Sequence, residues 1–164
     1  MSKLFFRYGA MNSGKSTAML QVAHNYEERD QRVVLVKSSV DTKGDDQIVS
    51  RLGVTRRADL LLSPGQDLRA ALQTLSAQRS ELSDGVACVL IDEAQFLTPE
   101  QVDQALAIAV LDMIPVVAFG IRTDFRTKAF PGSQRLMEVA HSLQEMKDRK
   151  STRLNSSHLV ISYA

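Results

Sequence analysis

The sequence predicts an α/β fold with a mainly parallel central sheet flanked by helices, and three observations carry that expectation. Short apolar runs alternate with amphipathic helical stretches, the pattern of βαβ units. A glycine-framed loop, Gly9-Ala-Met-Asn-Ser-Gly14-Lys15-Ser16, joins the first such run to the first helical stretch. A later run, Val89-Leu90-Ile91, ends in two adjacent acids, Asp92-Glu93. The length of 164 residues suits one domain rather than two. With 44% hydrophobic and 24% charged residues, 8 Gly and 4 Pro, the chain is neither disordered throughout nor a collagen or coiled coil.

The elements follow in chain order. Residues 4–8, Leu-Phe-Phe-Arg-Tyr, are short and aromatic-rich, which predicts a strand. Gly9 opens a turn that closes at Gly14. Residues 15–29 read as a helix, with Met19, Leu20, Ala23 and Tyr26 near one face. Residues 33–37 form a near-continuous apolar run, the mark of a strand covered on both faces. Residues 40–54 are polar and contain glycine, so a long loop is expected. Residues 66–80 place Leu68, Ala71, Leu72 and Leu75 in helical step. Residues 86–91 predict a second buried strand. A helix over 99–112 has a clear start, with Thr98 as N-cap and Pro99 at the first helical position. Residues 115–119 predict a third apolar strand, residues 120–131 a polar loop carrying Phe125 and Phe130, and residues 132–146 a helix.

Composition narrows the function classes. No apolar run approaches the roughly 18 residues of a membrane span. The start, Met-Ser-Lys-Leu-Phe-Phe, lacks the apolar core of a secretory signal. The single cysteine, Cys88, excludes a disulfide framework or a multi-cysteine zinc site among these residues. A net charge of +1 gives no push toward nucleic acid or an anionic membrane. A cytoplasmic enzyme is the expectation.

The glycine-framed loop fits G-x-x-x-x-G-K-[ST]. Its glycines let backbone N–H groups turn inward around phosphate oxygens. Lys15 can reach the β and γ phosphates, and the Ser16 hydroxyl can ligate Mg²⁺. The helix that follows aims its positive N-terminal end at the anion. A strand before the loop and a helix after it separate this reading from that of a glycine-rich turn with an exposed lysine.

Asp92, at the end of an apolar strand, can hold the shell of a magnesium ion. Glu93 lies one residue on, so its side chain aims elsewhere and can deprotonate a hydroxyl or a water. Beside the phosphate loop, this pair outweighs the reading as solvated acids at a turn. These residues point to a P-loop kinase or NTPase and leave the phosphate acceptor open.

Three runs specify more. Tyr8-Gly-Ala-Met-Asn-Ser-Gly-Lys-Ser-Thr17, Ile91-Asp-Glu-Ala-Gln-Phe-Leu97 and Phe119-Gly-Ile-Arg-Thr-Asp-Phe-Arg126 together resemble thymidine kinase of the bacterial and animal-cytosolic type. The resemblance covers residues 1–147. It implies a RecA-like P-loop domain and transfer of the ATP γ-phosphate to the 5′-hydroxyl of thymidine. Carried over by motif, Gly9, Ala10, Met11, Asn12, Ser13, Gly14, Lys15, Ser16, Thr17 and Asp92 bind the nucleotide. Ser16, Asp92 and Asp41 serve the Mg²⁺. Glu93 is the general base. Met11, Phe96, Ile121, Phe125 and Phe130 line the thymidine pocket. Lys43 stands where the family usually has arginine. Flat apolar walls suit a nucleoside base, although ordinary core packing is the alternative for each phenylalanine and for Met11.

Other candidates carry less. Cys88, inside a buried strand, reads as core rather than reactive. His24 and His141 have no ligand partners in spacing and read as surface or helix residues. Arg51, Arg56 and Arg57 read as a solvated face. Arg122 and Arg126 flank the aromatic loop, nearer substrate.

The family pattern continues with a zinc-bearing lasso domain, which the resemblance does not find here, so zinc is expected only in that missing C-terminal part. Residues 148–164 match one reading frame of a common short-read sequencing adapter. The expectation is therefore a P-loop kinase domain over 1–147, a non-native tail over 148–164, and a natural product interrupted near Lys147. His158 then has no role. The intact parent is expected to be a homotetramer, and the present chain an impaired fragment. Another P-loop ATPase and a non-catalytic nucleotide-binding module are the rivals.

Overall fold

The computed structural model describes residues 2–10, 14–39, 47–49, 53, 55–122 and 130–147. Its centre is a six-stranded sheet of β1 (Leu4–Gly9), β2 (Val33–Ser38), β5 (Leu60–Leu62), β6 (Cys88–Asp92), β7 (Val116–Gly120) and β8 (Ser142–Met146). Their order across the sheet is β5-β2-β6-β7-β1-β8. Every pairing in it is parallel. A separate antiparallel pair joins β3 (Gln47–Val49) to β4 (Thr55–Arg57). The helices are α1 (Lys15–Glu27), α2 (Leu68–Gln78), α3 (Pro99–Val110) and α4 (Pro131–Val139).

The apolar runs are continuous because both faces of the sheet are covered. Alternate residues divide between two cores. Val34, Val36, Val89, Ile91, Val116 and Ala118 pack with α2, α3 and α4 through Leu72, Ala105, Ile108 and Leu136. Their neighbours Val33, Leu35, Leu90, Val117 and Phe119 pack with Met19 and Ala23 of α1 and with Ile48 of β3. Strands β6 and β7 are buried along their whole length.

Local signals placed most helix starts. Thr98 caps α3 in a capping box with Gln101, and Pro99 sits in the first turn. Asp67 caps α2 by accepting from the Ala70 N–H at 2.8 Å. α1 stops at Glu27, short of residue 29, and the turn that ends it passes through Asp30 at φ 59°.

Four strands depart from expectation. The loop expected over 40–54 contains β3, and β4 and β5 follow it. Three-residue strands are too short to show a period. The helix expected over 132–146 ends at Val139, and residues 142–146 form β8 beside β1. Leu, Gln, Glu and Met favour helix, but docking to β1 overrides them. His141 makes the joint: its backbone N–H donates to the Leu4 carbonyl, and its Nδ1 accepts from the Leu4 N–H at 2.9 Å. His141 is thus a surface residue that starts a strand pairing, not a helix residue.

Candidate active site

The carboxyl ends of β1, β6 and β7 converge, as expected for a ligand site in an open parallel sheet. β1 delivers Gly9 and Ala10. Gly14 has φ 84°, a left-handed backbone that a β-carbon would strain. α1 then begins at Lys15 with neither a side-chain cap nor an acid in its first turn. That leaves its positive end to an anion. Lys15 reaches back, donating from Nζ to the Ala10 carbonyl at 3.0 Å. Burial holds its pKa below the usual lysine value, while the charges of Glu93 and Asp92 push the other way. The ammonium therefore sits within electrostatic reach of both acids.

Thr17 bears on whether a nucleotide fits here. Among the described residues, its Oγ1 is a buried side-chain oxygen with no hydrogen-bond partner. A buried hydroxyl without a partner is costly, and it lies in the first turn of the helix that would face the phosphates. Ser16 and Asp92 add hydroxyl and carboxylate oxygens, the hard donors that Mg²⁺ prefers.

Asp92 is 4% exposed. Its carboxylate accepts from the Glu93 N–H at 3.0 Å. Burial first, and then the Glu93 charge, raise its pKa to about 6. The ordinary value is 3.8, so with no cation bound the folded protein holds a proton that the unfolded chain has released. Asp92 should thus make the metal-free protein more stable as pH falls from about 6 toward 4, on the order of 3 kcal/mol. Melting profiles of wild type and Asp92→Asn over that range check this. The excess acid-side stabilisation should vanish in Asp92→Asn.

Glu93 follows with φ 55°, a left-handed backbone on a residue with a β-carbon, which costs about 1–2 kcal/mol. That kink turns the chain into a 3₁₀ turn over Ala94–Phe96. It also sends the Glu93 side chain away from Asp92, toward Gln95, whose Nε2 donates to its carboxylate. Gln95 is 4% exposed, and its Oε1 accepts from the Ile121 N–H at 3.3 Å. Ser133 is fully buried and donates from Oγ to the Ile121 carbonyl.

Phe96 and Phe130 meet edge to face with ring centroids 5.8 Å apart, a favoured aromatic geometry. Both are half-buried, one from the 3₁₀ turn and the other at the start of α4. The 3₁₀ turn is wedged against two glycines. A β-carbon at Gly132 would lie 2.4 Å from the Leu97 carbonyl oxygen, and one at Gly120 would lie 2.8 Å from Gln95 Oε1.

The structure thus gathers Gly9, Ala10, Gly14, Lys15, Ser16, Thr17, Asp92 and Glu93 at one end of the sheet, with Phe96, Ile121 and Phe130 on the segments beside them. Met11, Asn12, Ser13, Asp41, Lys43, Arg51, Phe125, Arg126 and His158 lie outside the described residues. Arg122 is exposed. Arg56 is not a solvated cation: it pairs with both Glu27 oxygens, at 2.7 and 2.6 Å, tying β4 to α1. His24 is exposed and pairs with Glu28 one turn on. Cys88 is a core thiol, its pKa pushed to about 11 by burial. Gln95 carries no signal in the sequence beyond its place in the Asp-Glu-Ala-Gln-Phe run.

A family model described as thymidine kinase matches residues 2–149. A thymidine kinase of Idiomarina loihiensis is 49% identical over 148 residues, covering 90% of this chain and 74% of the relative. One of Chromobacterium violaceum is 46% identical with the same coverage. One of Legionella pneumophila (strain Lens) is 45% identical, with 68% of its length covered. Among solved structures, a DNA replication initiation factor superposes with a TM-score of 0.51 at 14% identity, over 99% of this chain and 46% of that one. That likeness concerns the fold alone.

Proposed function

The chain belongs to the thymidine kinase family, and from that premise we propose how its residues divide the transfer of the ATP γ-phosphate to thymidine. The family is a kinase family that uses ATP, generally with Mg²⁺. The observation that carries the division is geometric: Asp92 is buried at the end of β6, and the left-handed backbone of Glu93 sends the next carboxylate to Gln95, so the two acids serve different places.

Backbone N–H groups over Gly9–Thr17, with Met11, Asn12 and Ser13 among them, cradle the phosphates. Lys15 spans the β and γ groups and neutralises charge that builds during transfer. Ser16 and Asp92, with Asp41 in support, would hold Mg²⁺, which when bound would neutralise phosphate charge. Glu93 accepts the proton of the 5′-hydroxyl, so that the acceptor oxygen is nucleophilic as it meets phosphorus. Met11, Phe96, Ile121, Phe125 and Phe130 wall the thymine ring. The Phe96–Phe130 contact and the doubly held Ile121 support that pocket.

The kinase domain is read as residues 1–147, and residues 148–164 as a non-native tail. The adapter-like frame supports the latter, and resequencing the source locus beyond the Lys147 codon tests it. Zinc is assigned to the part of the family pattern beyond this stretch, and the assembled state to a homotetramer. Among the described residues no helix is long and apolar enough to cross a membrane. A cytoplasmic location and the absence of nucleic-acid partners are part of the same proposal.

Product counting tests the function. With Mg²⁺·ATP, a kinase should yield one thymidine monophosphate per ADP and little ADP without nucleoside. ADP release indifferent to thymidine would replace the kinase reading with an ATPase. Nucleotide-induced stabilisation without product would leave a binding module.

A further inference from the structure

One side chain touches both the Glu93 carboxylate and the end of β7. The Gln95 amide offers one oxygen and one nitrogen. Ionised Glu93 can only accept, so it takes the Nε2 hydrogen, and the Ile121 N–H can only donate, so it takes Oε1. A single orientation satisfies both, and a flipped amide would satisfy neither. Burial at 4% exposure keeps water from replacing either partner. Gly120 lets the backbone close on this amide, since a β-carbon there would lie 2.8 Å from Oε1 and 3.0 Å from the Gln95 backbone nitrogen. Ser133 holds the other side of Ile121 by donating to its carbonyl.

We propose that Gln95 is a positioning residue for phosphoryl transfer, holding the Glu93 carboxylate in line for the acceptor hydroxyl and locking it to Ile121. The inference rests on the reading of Glu93 as base and Ile121 as pocket wall. The left-handed backbone at Glu93 sets where its side chain starts but not where it ends. The Gln95 donor sets the end, through a hydrogen bond to a charged group, the stronger kind. Without that donor the carboxylate can swing off line. A displacement of about 1 Å costs on the order of 10²-fold in rate. The Ile121 bond puts the pocket wall and the base on one rigid element, so nucleoside and base keep a common register.

Two variants test the amide. Gln95→Met removes both hydrogen bonds; it should lower kcat about 10- to 100-fold and raise thymidine KM severalfold. Gln95→Asn keeps the amide but is one methylene too short to span both partners, and should lower kcat as well. ATP KM should hold in both. A lowered melting temperature with kcat per folded molecule and thymidine KM unchanged would reduce Gln95 to a structural role and overturn the proposal. A second readout needs no turnover. In ¹⁵N-labelled chain, Glu93→Ala should move the Ile121 amide resonance, and the same substitution in a Gln95→Met background should not. Equal movement in both backgrounds also overturns the bridge. If Glu93→Gln keeps full kcat while the resonance cycle behaves as stated, the base assignment fails and the bridge stands.

Discussion

Replacing Glu93 with glutamine is expected to lower the kcat of thymidine phosphorylation by about 10²- to 10⁴-fold, the share usually carried by a positioned base. The substitution is nearly isosteric. It keeps an oxygen that can accept from Gln95 Nε2 and leaves the backbone kink in place, so the 3₁₀ turn should persist. What it removes is the capacity to take a proton. It also removes the second-largest influence raising the Asp92 pKa, so the Asp92 carboxylate becomes a readier ligand and nucleotide binding should be kept or improved. Single-turnover phosphorylation beside a nucleotide-binding measurement checks this. A kcat within threefold of wild type would remove Glu93 from the chemistry.

Lys15→Met should cost about 10²- to 10³-fold in kcat/KM, the range for losing one preorganised charge contact at a reacting oxygen. The half-buried ammonium has already lost water to burial. That cost is met in the empty protein by the Ala10 carbonyl and the two acids, and in the complex by phosphate oxygens. Methionine keeps the length without the charge. Mg²⁺·ATP at 100 times its dissociation constant should raise the wild-type melting temperature by about 5–10 °C. The same nucleotide concentration should do little for Lys15→Met. An undiminished shift would show that Lys15 does not contact the phosphates.

Particular residues show how much of this was legible in the chain itself. Gly9, Gly14, Lys15 and Ser16 stand in one short run; Gly14 takes a left-handed backbone, and α1 begins at Lys15 directly after it. Thr98, Pro99 and Gln101 likewise carry their helix start in adjacent positions. Asp92 follows an apolar run directly, and it is the last residue of β6. The family resemblance implies a pocket role for Phe96 and Phe130, yet nothing in their spacing shows that their rings touch. β8 was hidden because Leu143, Gln144 and Glu145 prefer helix when read locally; half-exposed on a sheet edge, they lack the alternation of a one-sided strand.

The layered α/β architecture, the glycine turn before α1 and the acid pair at the end of β6 are legible along the chain alone. Each rests on residues within a few positions of one another, where backbone geometry alone turns spacing into shape. Folding in three dimensions was needed to set β1 between β7 and β8, to point the Glu93 carboxylate at Gln95, and to bring Gln95 to Ile121, 26 residues away. Such contacts are set by which surfaces the folded sheet brings together. Their partners are remote along the chain and leave no periodic trace in it.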